Sequence, residues 1–222
     1  MNEEETVTLE AEPYPLDMDL KRTAVLVIDM QNTFVSPGGM FEMGGRDISH
    51  IRKTIEPNKR IIEAARNRGV KVIYAVHRIS PDMREIGPMS RYRPHAWLKD
   101  PATLDKRILR GTWGTEIIDE LKPLESEMVV EKRRFSAFSG TELDMTLNTY
   151  DIRYLIFTGV ATNICVESSL RDASHLQYLP VLVSDATAAS PPSRQESSIG
   201  NIRDVFGWVT TTEKVLDCLS GK

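Results

Sequence analysis

Three side chains capable of acid–base or nucleophilic chemistry follow apolar segments of strand length: Asp29, Lys132 and Cys165. A buried carboxylate is costly unless it is paired or catalytic, which favours a functional Asp29 over a loop cap. Lys132 belongs to a basic run, which forms either a solvated turn or a cation site in a cleft. Cys165 falls in the first turn of a predicted helix, where the helix dipole lowers a thiol pKa and favours a nucleophilic thiolate. A lone cysteine is also often a small buried hydrophobe, and Cys218 fits that description.

Other kinds of chemistry have little support in the sequence. It contains no glycine-rich phosphate loop, no His-Glu-x-x-His metal motif and no Gly-x-Ser-x-Gly elbow. Its two cysteines are too few for a disulfide framework or a four-cysteine zinc site. Among four scattered histidines, His77 is the candidate to face a cleft, since it ends the second apolar segment.

The elements that must position these residues alternate between strands and helices. Short apolar runs predict strands that are buried on both faces, as in a parallel sheet: Ala24–Ile28, Val70–Val76, Met128–Val130, Tyr154–Phe157, Pro180–Val183 and Trp208–Thr210. Helices are predicted between them: Asp47–Arg68, Thr115–Leu121, Thr141–Tyr150, Thr162–His175, Ser193–Phe206 and Thr211–Leu219. This alternation predicts a three-layer α/β/α domain with a six-stranded, mainly parallel sheet. The carboxyl ends of its strands, where the candidate residues lie, are where such sheets bind ligands.

Composition and length limit the class of protein. The chain has 222 residues, 28 basic and 32 acidic side chains and a net charge of −4, which argues against a general nucleic-acid binder. No apolar run is long enough to span a membrane, and the acidic N-terminus is no signal sequence, so we expect a cytoplasmic protein. Residues 1–22 predict a partly flexible N-terminal arm, and residues 23–222 a single domain. The arm and the long loop from His77 to Gly114 suggest a homo-oligomer, with a tetramer favoured.

The three strand ends together resemble the isochorismatase-like cysteine hydrolases. The pieces that carry the resemblance are Val27–Asn32, Lys132 with Phe135–Thr141, and Gly159–Val166. Within that family the chain is most similar to the ureidoacrylate amidohydrolases, through Ser36–Gly39, Gly111–Trp113, Cys165–Asp172 and Phe206–Val209. The family arrangement implies a sheet ordered 3-2-1-4-5-6, which places Asp29 and the Cys165 turn side by side. Lys132 then lies two strands from Asp29, so its side chain must bridge about 9–10 Å.

The resemblance implies a catalytic triad of Asp29, Lys132 and Cys165. It also implies a cis peptide bond between Val160 and Ala161, with the backbone N–H groups of Ala161 and Cys165 forming an oxyanion hole. Four side chains are expected to contact substrate: Gln31, Phe34, Trp113 and Phe135.

The resemblance implies no metal and no cofactor. The Asp-x-His pair of the family's nicotinamidases is absent, because the corresponding place reads His77-Arg78-Ile79-Ser80. Four loop arginines are candidates to clamp a substrate carboxylate, with a solvated loop as the alternative: Arg78, Arg84, Arg91 and Arg93.

These features predict a metal-independent cysteine amidohydrolase. It would cleave a C–N bond of a small ureido, carbamoyl or amide substrate, of the ureidoacrylate type, through a thioester. The alternatives are an N-carbamoylsarcosine- or biuret-type amidase and a non-catalytic binding or assembly protein of the same fold. A nucleotide-binding α/β domain is disfavoured, because the glycine fingerprint is missing.

Overall fold

The computed structural model describes residues 6–82, 84–88 and 108–221. Within these residues the central sheet has six strands in the order β5-β4-β3-β6-β7-β8, and all neighbours are parallel. The strands are β3 (Thr23–Ile28), β4 (Lys71–His77), β5 (Met128–Lys132), β6 (Tyr154–Val160), β7 (Leu179–Ala188) and β8 (Trp208–Thr210). Counted along the chain, this order is 3-2-1-4-5-6, as predicted.

Helices cover both faces of the sheet, so its central strands are buried on both sides. Every residue of β3 is buried. Because side chains alternate along a strand, Val25 and Val27 pack into one core while Leu26 and Ile28 pack into the other. The helices are α1 (Asn32–Val35), α2 (Met40–Met43), α3 (Ser49–Arg52), α4 (Ile55–Asn67), α5 (Leu143–Thr149), α6 (Glu167–His175), α7 (Gln195–Asn201) and α8 (Thr212–Ser220). The three-layer α/β/α architecture is therefore confirmed.

Two predicted helices differ from the structure. The segment Asp47–Arg68 divides into α3 and α4, because Thr54 turns the chain and its hydroxyl donates to the carbonyl of Ile51 at 2.8 Å. The segment Thr115–Leu121 is not a continuous helix but two short 3₁₀ turns, Trp113–Thr115 and Asp119–Leu121. Between these turns, Ile117 instead forms an antiparallel bridge to Gln31, which draws the segment against the end of β3.

The described part of the N-terminal segment forms a hairpin rather than the loose arm that we expected. Strands β1 (Thr6–Leu9) and β2 (Leu16–Asp19) pair antiparallel, and the side chains of Leu9 and Met18 are fully buried. The hairpin packs against α8, and Glu12 exchanges backbone hydrogen bonds with Val209 at the edge of β8. The backbone at Glu12 thus pairs with a sheet edge that would otherwise be open at Val209. None of the helices in the described residues has the length and apolar character needed to cross a bilayer.

Candidate active site

Asp29 lies at the carboxyl end of β3, in the middle of the sheet. Its backbone N–H donates to the carbonyl of Ala75 at 2.9 Å, which continues the β3–β4 ladder by one bond. Its φ of +50° then turns the chain out of the sheet. The side chain is 1% exposed, so the carboxylate is held in a nearly dry environment.

Lys132 reaches Asp29 from the end of β5, across the intervening strand β4. Its Nζ lies 2.7 Å from Oδ2 of Asp29, and its side chain is 0% exposed. Lys132 pairs with His77 in the sheet register, whereas the last residue of β3 pairs with Ala75, so Lys132 lies further along the sheet than Asp29. Its long side chain therefore spans the gap that the strand order creates. The ammonium also donates to the carbonyl of Arg134 at 3.3 Å.

Cys165 is positioned by a tight turn between β6 and α6. Residues Thr162–Val166 form a π-helical turn that leads directly into α6. Gly159, just before the turn, has a φ of +99°, and a Cβ there would lie 2.0 Å from the carbonyl oxygen of Ile28. Only glycine lets β6 approach β3 this closely at the site. The hydroxyl of Ser169 donates to the carbonyl of Cys165 at 2.7 Å and fixes the turn from the α6 side.

The three side chains shift one another's pKa values. Burial raises the pKa of the Cys165 thiol far above its usual range, the charge of Asp29 raises it further, and Lys132 opposes both. Burial also raises the pKa of Asp29, against the charge of Lys132 and a hydrogen bond from Cys165. For Lys132 burial lowers the pKa, but the attraction of Asp29 and Cys165 prevails and raises it, so the ammonium stays charged. Burial and the charge of Asp29 therefore favour a protonated thiol in the resting site, rather than the free thiolate that we expected.

A small cavity of about 30 Å³ lies over these groups and is enclosed mainly by apolar side chains. The peptide bond between Val160 and Ala161 is cis, as the family resemblance implied. Both residues line the cavity beside Asp29 and Cys165. The remaining lining residues described are Phe34, Phe41, His77, Ile108, Phe135 and Ile164.

The four expected substrate contacts do not all reach this cavity. Phe34 and Phe135 line it, as does His77. The side chain of Gln31 is fully buried and hydrogen-bonds to backbone groups. Its amide nitrogen donates to the carbonyls of His77 and Thr115 at 3.1 and 2.9 Å. Its amide oxygen accepts from the His77 N–H at 2.7 Å. Gln31 thus joins the ends of β3 and β4 below the site. Trp113 is 50% exposed and is not among the described lining residues.

Several other sequence features have different surroundings from those expected. Arg78 pairs with Glu131 at 3.0 Å, and Arg84 is 87% exposed. The surroundings of these two arginines therefore do not indicate a binding site for a substrate carboxylate. Arg91 and Arg93 lie outside the described residues. Cys218 is buried in α8, where burial raises its thiol pKa to about 11. No group of three or more potential metal ligands occurs within the part of the chain that the structure describes. Sequence reasoning missed Phe41, Ile108 and Ile164 as cavity walls, because nothing in their spacing marks them.

Comparison with known proteins agrees with this geometry. The isochorismatase domain model matches residues 23–214. A ureidoacrylate amidohydrolase RutB from Caulobacter segnis is 40% identical over 215 residues, which cover 93% of this chain and 89% of that protein.

Solved structures extend the comparison. A cysteine hydrolase from Pseudomonas syringae pv. phaseolicola superposes with a TM-score of 0.81 at 28% identity, covering 100% of this chain and 99% of the other. An N-carbamoylsarcosine amidase from Thermoplasma acidophilum gives a TM-score of 0.68 at 27% identity, covering 86% and 97%. The sheet carries Asp29, Lys132 and Cys165 at the carboxyl ends of its strands, and the family model and the relative match most of the chain. These matches show that this protein belongs to the isochorismatase family.

Proposed function

We propose that the protein is a cysteine amidohydrolase that cleaves a C–N bond of a small ureido, carbamoyl or amide substrate without a metal ion. The observation that carries this proposal is that Asp29 and Cys165, from two strand ends, line one buried cavity, while Lys132, from a third strand end, pairs with Asp29 at 2.7 Å. A carboxylate, a cation and a thiol in contact are the parts of nucleophilic acyl transfer. In this proposal they form a catalytic triad.

Catalysis begins with proton transfer from the Cys165 thiol to Asp29. The raised pKa of Asp29 makes it a stronger base than an exposed carboxylate, and the transfer is local because both groups line the same small cavity. Lys132 keeps its proton and offsets the negative charge, which moves from the carboxylate to the sulfur. The thiolate therefore forms during the reaction rather than before it.

The bond changes then follow in order. The sulfur attacks the substrate carbonyl carbon, forming a C–S bond, and the carbonyl oxygen takes up the negative charge. In this proposal the N–H groups of Ala161 and Cys165 stabilise that oxygen. The C–N bond breaks, and the amine leaves with the proton from Asp29. Asp29 next takes a proton from water, whose oxygen attacks the thioester carbon; the C–S bond breaks and the thiol is restored.

The substrate class rests on the relatives and on the walls of the cavity. The amidohydrolase and amidase relatives are named for ureidoacrylate and N-carbamoylsarcosine, each of which carries a carbamoyl group on nitrogen. The walls near the thiol include Phe34, Phe41 and Phe135, which exclude bulk water. A ureidoacrylate-type substrate is therefore proposed, with an N-carbamoylsarcosine- or biuret-type amidase as the alternative. A non-catalytic role is disfavoured because Cys165 shares a cavity with Asp29, which pairs with Lys132.

Metal independence rests on the sequence around His77, which lacks a neighbouring aspartate at the required spacing. Full activity after dialysis against a chelator is expected, and a loss restored by zinc, iron or manganese would contradict it.

We further propose a cytoplasmic homo-oligomer, with a tetramer favoured because the His77–Gly114 loop exceeds what one domain needs. Sedimentation of a monomer at micromolar concentration would contradict the oligomer.

The function is tested by ammonia release from a panel of ureido acids, N-carbamoyl amino acids, biuret and nicotinamide. We expect turnover of one or more ureido or carbamoyl compounds and none of nicotinamide. Cys218→Ala is the matched control for a buried cysteine outside the cavity and should keep activity. A panel without any turnover by the wild-type protein would favour a binding protein of the same fold.

A further inference from the structure

A second cavity lies next to the one above the thiol. It has a volume of about 590 Å³, whereas the inner cavity has about 30 Å³ by the same measure. Phe135 and Ile164 line both cavities, so the two share a wall. The inner cavity has room for little more than one small group. A ureido acid that places its carbonyl at Cys165 must therefore extend its remaining atoms elsewhere, and the adjoining outer cavity has the space.

Two arginines, Arg46 and Arg194, line the outer cavity, and neither forms an ion pair with a carboxylate in the described part of the chain. Arg46 is partly buried; burial lowers the pKa of its guanidinium, and the nearby charge of Arg194 lowers it further. Asp47 lines the same cavity. Its carboxylate accepts hydrogen bonds from the N–H and the hydroxyl of Ser49 at 2.8 and 3.0 Å. Two guanidinium groups thus line one space together with a single carboxylate, and neither is paired with a carboxylate among the described residues.

The Arg46 guanidinium is held in place from the side of the active site. It donates to the hydroxyl of Ser190 and stacks 4.6 Å from the ring centroid of Phe41, a wall of the inner cavity. Ser190 is itself joined to the turn of the nucleophile, since its N–H donates to Asn163 at 2.9 Å and its carbonyl accepts from the same side chain at 3.3 Å. The cation is therefore fixed relative to Cys165.

His50 adds an imidazole ring to the outer cavity. Its Nε2 lies 2.8 Å from the carbonyl oxygen of Ala189; a carbonyl only accepts, so Nε2 carries a proton. Its Nδ1 is buried without a hydrogen-bond partner among the described residues. The outer cavity thus offers two guanidinium groups and one imidazole nitrogen to a ligand, beside the Asp47 carboxylate.

We propose that the outer cavity is a carboxylate subsite, in which Arg46 and Arg194 bind the acid group of the substrate while its carbamoyl carbonyl lies at Cys165. The proposal rests on the proposed function and narrows it to anionic ureido or carbamoyl acids. A guanidinium matches a carboxylate with two parallel hydrogen bonds, and a bound anion relieves the repulsion between the two arginines. Neutral compounds such as biuret lack the group that this subsite recognises.

The subsite is tested by binding rather than turnover, using Cys165→Ala protein and isothermal titration. The probes are 3-ureidopropionate and its neutral counterpart 3-ureidopropionamide. Adding Arg46→Gln or Arg194→Gln should weaken binding of the acid about 10- to 100-fold, as expected for a lost charge-assisted hydrogen bond, and change binding of the amide less than about threefold. Because Arg194 is exposed, its replacement leaves the packing intact. Arg46→Lys should recover part of the acid's affinity.

Arg84→Gln is the matched control, since Arg84 is 87% exposed in another loop and should leave both affinities unchanged. Equal weakening of acid and amide, no weakening of either, or no binding of the acid to Cys165→Ala would overturn the subsite. If wild-type protein hydrolyses no ureido compound but the acid still binds in an arginine-dependent manner, the proposed function fails while the subsite stands.

Discussion

Replacing Lys132 by methionine removes the cation from a fully buried ion pair. The ammonium and the Asp29 carboxylate lie 2.7 Å apart and are 0% and 1% exposed. At that separation their attraction is about 6 kcal/mol for an effective dielectric constant of about 20. Part of this attraction offsets desolvation, and removal of one partner from such a pair typically costs about 3–5 kcal/mol. Methionine fills a similar volume, so most of the cost is electrostatic.

The remaining carboxylate responds by binding a proton. Without Lys132, burial raises the pKa of Asp29 further, because the largest opposing influence is gone. A protonated Asp29 cannot accept the thiol proton, so turnover should fall by about 10²–10⁴-fold, the usual contribution of a general base. Folded Asp29 then binds its proton more tightly than the unfolded chain does. The free energy of unfolding of the variant should therefore fall, relative to wild type, as pH rises above the ordinary aspartate value of 3.8.

The assay is the pH profile of Cys165 alkylation by iodoacetamide, measured together with turnover. At a pH where Asp29 of Lys132→Met is ionised, the profile should move to higher pH, because the sulfur anion then faces that carboxylate without the stabilising cation. Turnover of Lys132→Arg should also be low, since a planar guanidinium does not replace a compact ammonium in a tight site. Lys122→Met is the control, because Lys122 pairs with Asp119 at 2.8 Å but both side chains are largely exposed. This variant should leave turnover and the alkylation profile nearly unchanged.

An unchanged alkylation profile in Lys132→Met, with turnover within about tenfold of wild type, would refute this reasoning. It would remove Lys132 from the triad and leave a cysteine–aspartate pair without its cation.

Three further predictions concern Asp29 and two residues that hold the strand ends around it, Gln31 and Gly159. Because burial raises the pKa of Asp29, the acidic limb of the pH profile of kcat/KM should have its midpoint above the ordinary value of 3.8, and a midpoint at or below that value would contradict a buried base. Gln31→Ala should lower the free energy of unfolding, measured in urea, by about 1–3 kcal/mol, because it leaves the buried His77 N–H without its acceptor. Gly159→Ala should destabilise the protein by about 3 kcal/mol or more, since a Cβ would meet the Ile28 carbonyl at 2.0 Å; a melting temperature equal to wild type would show that the strands can separate.

Residue types at strand ends were the part of the site that the sequence could predict. In a parallel sheet the carboxyl ends of all strands meet at one edge, so side chains far apart in sequence come together there. With the strand order that the resemblance implied, that rule places Asp29 beside the Cys165 turn, whereas the grouping with Lys132 followed from the family resemblance. The implied strand order required Lys132 to bridge β4, but where Lys132 lies along the sheet depends on the register of β5, which periodicity does not determine.

Other features depend on tertiary burial, which the sequence does not reveal. The helix-dipole rule predicted a lowered pKa for Cys165, whereas burial and the charge of Asp29 raise it. Gln31 follows Asp29 closely in the chain, yet its side chain turns to the backbone of β4 rather than to the cavity. Arg46 and Arg194 are distant in sequence and meet only because two loops converge over the cavity. The N-terminal segment looked unstructured because its charges and prolines outweigh a short apolar alternation that the domain surface stabilises.

The central claim is that Cys165 is the nucleophile, and the most direct measurement is hydrolysis of 3-ureidopropionate and the other panel compounds by Cys165→Ala. The variant should keep the circular dichroism spectrum and melting behaviour of the wild type, since it only shortens a buried side chain. Its turnover should fall by several orders of magnitude on every compound that the wild type hydrolyses, whereas Cys218→Ala should stay near wild type. Turnover in folded Cys165→Ala equal to wild type would contradict the account.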